Sequence, residues 1–173
     1  MHKFQFCPVC ATPLTEGERG GMMRKVCPNP SCGWIHWDNP TPVVGAVVER
    51  KGHVVLIQNV GWPKHFYGLV TGFLEKIESP EEAILREVKE EIGLEGTIGE
   101  FLGLYPFARR NQILMIYHVT AHEGEIKIDP EEIADYREVP IEKVRPWNAG
   151  TGAALEKWLN SRGYFPEVID IRR

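Results

Sequence analysis

Between Ser79 and Gly93 the chain carries its own start and stop signals for one helix, and that helix dictates what the rest must supply. Ser79 suits an N-cap, Pro80 suits the first helical position, and Glu82, three residues after the serine, completes a capping box. Gly93 followed by Leu94 has the form of a left-handed C-cap with its hydrophobic contact. The signals predict a helix over Pro80 to Ile92. Its apolar residues Ile84, Leu85, Val88 and Ile92 fall on one stripe, which has to be covered by another layer. Glu87 and Glu91 sit at the margin of that stripe, whereas Glu82 and Lys89 point elsewhere.

Glu87, Glu90 and Glu91 fall within roughly a 100° arc of such a helix. Like charges at this spacing repel by a few tenths of a kcal/mol per pair. A divalent cation would turn the repulsion into affinity, because hard ions take clustered carboxylate oxygens. Carboxylates beside a buried stripe also lose hydration, which is costly without a neutralising partner. Taken alone, such a run is most often a solvated face.

Strand patterns surround the helix. Val43–Arg50 reads as a buried strand, Lys51-Gly52 as a turn and His53–Gln58 as its hairpin partner. Another strand lies near Leu69-Val70. After the helix, Glu100–Tyr105 and Ile113–Ala121 read as strands joined through residues 106–112, and residues 131–138 lead into a short strand at 136–139. Ala149 to Leu159 is helical by pattern. Strands before and after a central helix, closed by a second helix, suit an α/β fold with a mixed sheet between helices.

All four cysteines lie near the start, as Cys7-Pro-Val-Cys10 and Cys27-Pro-Asn-Pro-Ser-Cys32. Two short-spaced pairs joined by a hairpin are what a tetrahedral zinc site requires. Two disulfides are the alternative, disfavoured in a reducing compartment. A segment this short does not fold on apolar burial alone, which makes a structural metal physically sensible. The second pair has four intervening residues where the usual ribbon has two, so His36 stays open as a substitute ligand. Residues 1–38 are assigned to a zinc ribbon and 39–173 to a second domain, with Asp38-Asn39-Pro40-Thr41-Pro42 as the turn-rich link.

The segment from Gly72 to Leu94 also fits G-x5-E-x7-R-E-U-x-E-E-x-G-U, where U is aliphatic. Gly72, Glu78, Arg86, Glu87, Glu90, Glu91 and Gly93 occupy every fixed position, with Val88 and Leu94 as aliphatics. This pattern resembles the box of the Nudix hydrolases. The resemblance implies an α/β/α sandwich, extending more weakly over Pro42 to Leu159, and a loop-helix-loop that binds Mg²⁺ or Mn²⁺ against a diphosphate. It makes Glu87, Glu90 and Glu91 the metal ligands and Arg86 a residue that orients a box carboxylate. Glu78 is a structural support or a water-mediated ligand, with support favoured. Gly72 and Gly93 become backbone residues at sharp turns. One departure stands out: many relatives have glycine immediately before the Glu78 position, and this chain has Ile77.

Members of this family cleave a nucleoside diphosphate linked to some group X. The general base is a box glutamate or an acid on a later loop, and here Glu131 and Glu132 are the loop candidates. A ribbon ahead of a Nudix domain resembles two groups: ADP-ribose and FAD pyrophosphatases, and NADH pyrophosphatases that also remove NAD caps from RNA. The second group carries S-Q-P-W-P-F-P-x-S after the box, of which this chain keeps only Pro106-Phe107. The expected substrate is therefore ADP-ribose or FAD, giving AMP and a phosphorylated product, with NADH or NAD caps as the alternative. A non-catalytic nucleotide sensor or nucleic-acid-binding module is a further alternative, opposed by the intact acidic cluster. Phe66, Tyr67 and Tyr105 are candidates to stack on a base, and Arg109 and Arg110 to meet phosphate.

A net charge of −4 provides no global attraction for nucleic acid. The ribbon adds only Lys3, Arg19, Arg24 and Lys25. A small nucleotide is thus the expected partner, with NAD-capped RNA held as the nucleic-acid exception and a homodimer compatible with the sequence. No stretch approaches the roughly 20 apolar residues of a membrane span, and the N-terminus lacks the apolar core of a secretory signal. The expected location is the cytoplasm.

Overall fold

A computed structural model describes residues 4–171. They form two compact units that divide between Asn39 and Pro40. In the first, β1 (Thr15–Arg19), β2 (Met22–Val26) and β3 (Ile35–His36) make an antiparallel sheet in that order. Its positive-φ glycines, Gly20 and Gly21, turn the chain between β1 and β2.

The second unit contains β4 (Thr41–Arg50), β5 (His53–Asn59), β6 (Val70–Phe73), α1 (Pro80–Ile92), β7 (Gly96–Phe107), β8 (Gln112–Ala121), β9 (Ile133–Pro140) and α2 (Gly152–Ser161). Strand order is β7-β8-β4-β5-β9, and β6 pairs β4. The β4–β8 pairing is parallel and the others antiparallel, so the sheet is mixed. Along one edge β4 changes partner. Val48–Arg50 pair with β5, and Val43–Ala46 pair with β6.

Alternation along the strands splits the apolar residues between two faces. Val43 and Val47 of β4, Val54 and Leu56 of β5, and Leu114 and Ile116 of β8 join Leu155, Trp158 and Leu159 of α2 in one core. Val44, Ala46, Val48, Val55, Ile57 and Val119 meet Ala83, Ile84, Val88 and Ile92 of α1 in the other. Each fully buried large side chain contributes about 1.5–3 kcal/mol, so both helices are held by packing more than by propensity. This is the expected α/β/α sandwich.

Several elements outrun their sequence signals. β7 begins at Gly96 instead of Glu100, and irregular pairing between Ile98 and Glu100 and between Phe101 and Gly103 breaks its alternation. β9 is longer than the expected 136–139 because it is an edge strand with exposed, charged positions. α2 begins at Gly152, whose missing side chain leaves room for the carbonyl of Trp147. No helix among the described residues is long and apolar enough to cross a membrane.

Candidate active site

The predicted helix forms as its capping signals require. Ser79 Oγ accepts from Glu82 N at 3.2 Å, and a Glu82 carboxylate oxygen accepts from Ser79 N at 2.8 Å. Gly93 adopts φ 73° and donates to Lys89 O at 2.9 Å. Glu87 and Glu91 lie inside the buried face with Ala83, Ile84, Val88 and Ile92, deeper than the stripe margin expected for them; Leu85 is only half-buried.

Arg86 is the hub of the loop and helix. Its Nε and Nη2 grip both oxygens of Glu78, at 3.0 and 2.8 Å. Nη1 reaches Glu87 at 2.8 Å and Glu90 at 2.9 Å, and Nη2 also donates to the carbonyl of Phe73 at 3.2 Å. Glu78 further accepts from Glu75 N at 2.7 Å. Glu78 is thus a strap that ties the loop to the helix, and the Arg86 guanidinium with the Glu75 N–H holds its carboxyl below the usual carboxylate range.

Gly72 acts differently from a turn residue. It lies within β6, and a Cβ there would sit 1.8 Å from the carboxyl carbon of Glu87. Its bare backbone is the floor on which that carboxylate rests. The departure at Ile77 also has a structural expression. This residue takes φ 78° and is 94% exposed, so a β-branched side chain occupies left-handed backbone that glycine adopts freely.

Electrostatics concentrate on the two inner carboxylates. Glu91 is 2% exposed, and its Oε2 has no hydrogen-bond partner. Burial, then the charges of Glu87 and Glu132, push its carboxyl up to about 8, against an opposing hydrogen bond from the backbone of Thr71. Glu87 is raised as well, chiefly by burial, with Arg86 pulling the other way. An orphaned buried oxygen and two desolvated carboxylates are what a cation would neutralise, and the donor set suits a hard divalent ion. Among the described residues, no three carboxylates bring one oxygen each within 4.8 Å of one another, and Arg86 holds one oxygen each of Glu87 and Glu90.

The loop candidates separate. Glu132 is close enough to act electrostatically on both Glu87 and Glu91. Its loop is fastened to the end of α1 by Lys127 N to Ile92 O at 3.0 Å and Asp129 N to Glu91 O at 3.3 Å. Both glutamates bond back to Asp129, Glu131 N to its carboxylate at 2.9 Å and Glu132 N to its carbonyl at 3.2 Å. Sequence spacing could not tell these neighbours apart; the charge that Glu132 brings to Glu87 and Glu91 does.

Of the aromatic candidates, Phe66 lies half-buried between Trp62, 4.9 Å away, and Trp147, 6.2 Å away. Tyr67 has Arg137 over one ring face at 4.0 Å, and its hydroxyl donates to Asp135 at 2.5 Å. Tyr105 is half-buried against the α2-side core, its hydroxyl donating to Leu102 O at 3.1 Å. Arg109 and Arg110 stand exposed on a single 3-10 turn between β7 and β8. That turn lies at the end of the sheet where β4 begins, tied there by Thr41 N to Asn111 O at 2.9 Å. The box loop leaves β6 at this end too, since Leu74 N donates to Pro42 O at 3.4 Å.

In the first unit the four thiols converge. Cys7 and Cys32 Sγ are 3.6 Å apart, Cys10 and Cys27 Sγ 3.5 Å, and all four lie within 4.8 Å of one another as free cysteines. A tetrahedron with bonds of about 2.3 Å has edges near 3.8 Å, so the group fits a four-thiolate metal site. His36 takes no part. Its ring stacks on Trp34 at 6.0 Å and faces Asp38 at 3.6 Å.

A sequence profile of the NUDIX domain matches residues 39–159. Curated relatives include a NAD-capped RNA hydrolase NudC of Stutzerimonas stutzeri (strain A1501), 27% identical over 172 residues, covering 98% of this chain and 61% of that protein. Another of that name, from Vibrio vulnificus (strain CMCP6), is 33% identical over 104 residues, covering 60% of this chain and 40% of the relative. The chain spans less than two thirds of the length of these relatives. Among solved structures, a NUDIX hydrolase from Nitrosomonas europaea superposes with a TM-score of 0.78 at 23% identity, covering 96% of this chain and 99% of the other. An ADP-ribose pyrophosphatase from Streptococcus suis 89-1591 gives 0.60 at 18% identity, covering 76% and 99%. At these identities the structural likeness concerns the fold.

Proposed function

The chain belongs to the Nudix hydrolase family, and from that premise we propose that it hydrolyses pyrophosphate bonds, cleaving the diphosphate of ADP-ribose or FAD to yield AMP and a phosphorylated remainder. The observation that carries the reading is the pair of desolvated carboxylates, Glu87 on the bare floor of Gly72 and Glu91 with an unpartnered buried oxygen. Glu87, Glu90 and Glu91 would hold Mg²⁺ or Mn²⁺. Once bound, such an ion neutralises diphosphate oxygens and acidifies the attacking water. Arg86 orients Glu87 and Glu90 and, through Glu78, stiffens the loop that precedes them. Glu132 is the better placed loop acid to receive a proton from water, being set beside Glu87 and Glu91 by the Asp129 turn. Cys7, Cys10, Cys27 and Cys32 would hold a structural zinc, since four thiolates leave no open coordination position for chemistry.

A second reading takes NAD, free or as an RNA cap, as substrate. The curated relatives that bear the name NAD-capped RNA hydrolase favour it, while the retention of only Pro106-Phe107 from that group's motif weighs against it. Hydrolysis of ADP-ribose, FAD and NAD in ¹⁸O-labelled water with Mg²⁺ tests both. The expected products contain AMP, with label on a phosphate oxygen of one fragment. Release of free adenine or nicotinamide would sink the pyrophosphohydrolase assignment, and the ranking of rates decides X.

A further inference from the structure

The sheet of the first unit sorts its charges by strand alternation. Thr15↔Val26, Gly17↔Arg24 and Arg19↔Met22 are opposed pairs on one face, while Glu16↔Lys25 and Glu18↔Met23 occupy the other. His36 pairs with Lys25, so Trp37, one residue on, falls on the Arg24 face. The Arg24 guanidinium does lie 5.0 Å from the Trp37 ring centroid and also donates to the Trp37 carbonyl. One face therefore presents Arg19, Arg24, Met22 and Trp37 with no carboxylate among its paired positions. The glutamates are on the other side, where Glu16 is neutralised by Lys25 at 3.4 Å. Asp38, next to Trp37, faces His36.

The face is open at the Trp37 and Met22 end, while Val26 at its other end is buried and Arg24 is half-buried. Trp37 is 48% exposed, Met22 59%, and Gly17 leaves no side chain between Thr15 and Arg19. Arg19 is exposed, its guanidinium resting on the carbonyl of Glu18 at 2.7 Å. A half-exposed indole with the Arg24 guanidinium over one face, on the same side of the sheet as Arg19, offers its other π-face to a base and cations to the adjoining phosphates, the combination that grips single strands without reading sequence.

We propose that this face of the ribbon docks single-stranded RNA. The stacking and charge come from the ribbon alone, and the choice of RNA rests on the NAD-cap reading of the catalytic unit.

Fluorescence anisotropy of the full, zinc-loaded chain with an uncapped, unstructured, labelled RNA 12-mer tests this without any turnover. Binding is expected to weaken steeply with salt. Trp37→Leu and Arg19→Glu should each reduce affinity about tenfold, and Arg19→Glu should lower the log–log salt slope by about 0.7 for the lost phosphate contact. Arg24 is left intact because it braces the Trp37 and Arg19 carbonyls. Bound zinc should stay at the wild-type level in both variants, which separates loss of the surface from loss of the ribbon. No binding at 50 mM salt, wild-type affinity in both variants, or equal competition by duplex RNA would overturn the proposal. Failure to hydrolyse any nucleotide would count against the Nudix substrate reading and leave this binding result standing.

Discussion

Replacing Glu91 with glutamine should weaken the pH dependence of stability in protein free of Mg²⁺ and Mn²⁺. Glu91 is 2% exposed, one of its oxygens is unpartnered, and Glu87 and Glu132 add negative charge around it. Its carboxyl is raised from 4.5 to about 8 in the fold. Because the folded value lies above the unfolded one, its contribution is fully present below about pH 4.5 and is lost as pH rises through 8. A displacement of three to four units at about 1.4 kcal/mol each gives a penalty on the order of 4–5 kcal/mol once the group is ionised. Urea unfolding of the wild type should therefore lose several kcal/mol between pH 5.5 and 8.5. Glu91→Gln cannot ionise and should lose at least about 2 kcal/mol less over that range. Glu87, also raised by burial, keeps the variant's curve from being flat. Saturating Mg²⁺ should restore the wild type at pH 8.5 and help the variant much less, because the ion replaces the proton as the neutralising partner. Parallel curves for the two proteins, within about 0.5 kcal/mol, would refute the assignment of an ionisable, desolvated Glu91.

Three further tests address other parts of the molecule. Gly72→Ala places a methyl 1.8 Å from the Glu87 carboxyl carbon; the carboxylate must shift, and turnover should fall by about 10²-fold with the far-ultraviolet spectrum unchanged. Ile77→Gly removes about 1–2 kcal/mol of left-handed strain and adds roughly 0.5–1 kcal/mol of unfolded-state entropy, so urea unfolding should show a net gain of about 0.5–1 kcal/mol. Elemental analysis should find one zinc per chain, and Cys32→Ser should lower that occupancy while the Nudix unit keeps its own unfolding transition. Full zinc retention in that variant would remove Cys32 from the site.

The box helix was readable in advance because each of its signals is local. Ser79, Pro80, Glu82 and Gly93 act within a few residues of one another, and the structure shows every one of those contacts. The burial of Glu87 and Glu91 was harder to foresee, since it depends on the depth to which α1 sinks onto β6 and on the space left by Gly72. β7 was read short because its bulges disrupt the period-two signal. The distinction between Glu131 and Glu132 lies in the charge that Glu132 brings to Glu87 and Glu91 from a distant loop, which no local pattern encodes. Ile77 was visible as a departure from the family pattern, but its left-handed backbone was not.

The fastening of the β8–β9 connection to α1 bears on where this chain can accept added length. From Lys127 to Ile133 the connection is measured against the last turn of the helix, through Ile92 O, Glu91 O and the Asp129 turn. One residue inserted there would slide Glu132 off its station and cut the carbonyl of Glu91 loose. Residues 122–125 are exposed and bond away from the helix, His122 N to Glu95 O at 2.8 Å, Glu123 to Lys51 at 2.7 Å and the Gly124 carbonyl to Arg50. A tag, a reporter peptide or a natural expansion placed among them would disturb those surface contacts and leave the acidic cluster in register.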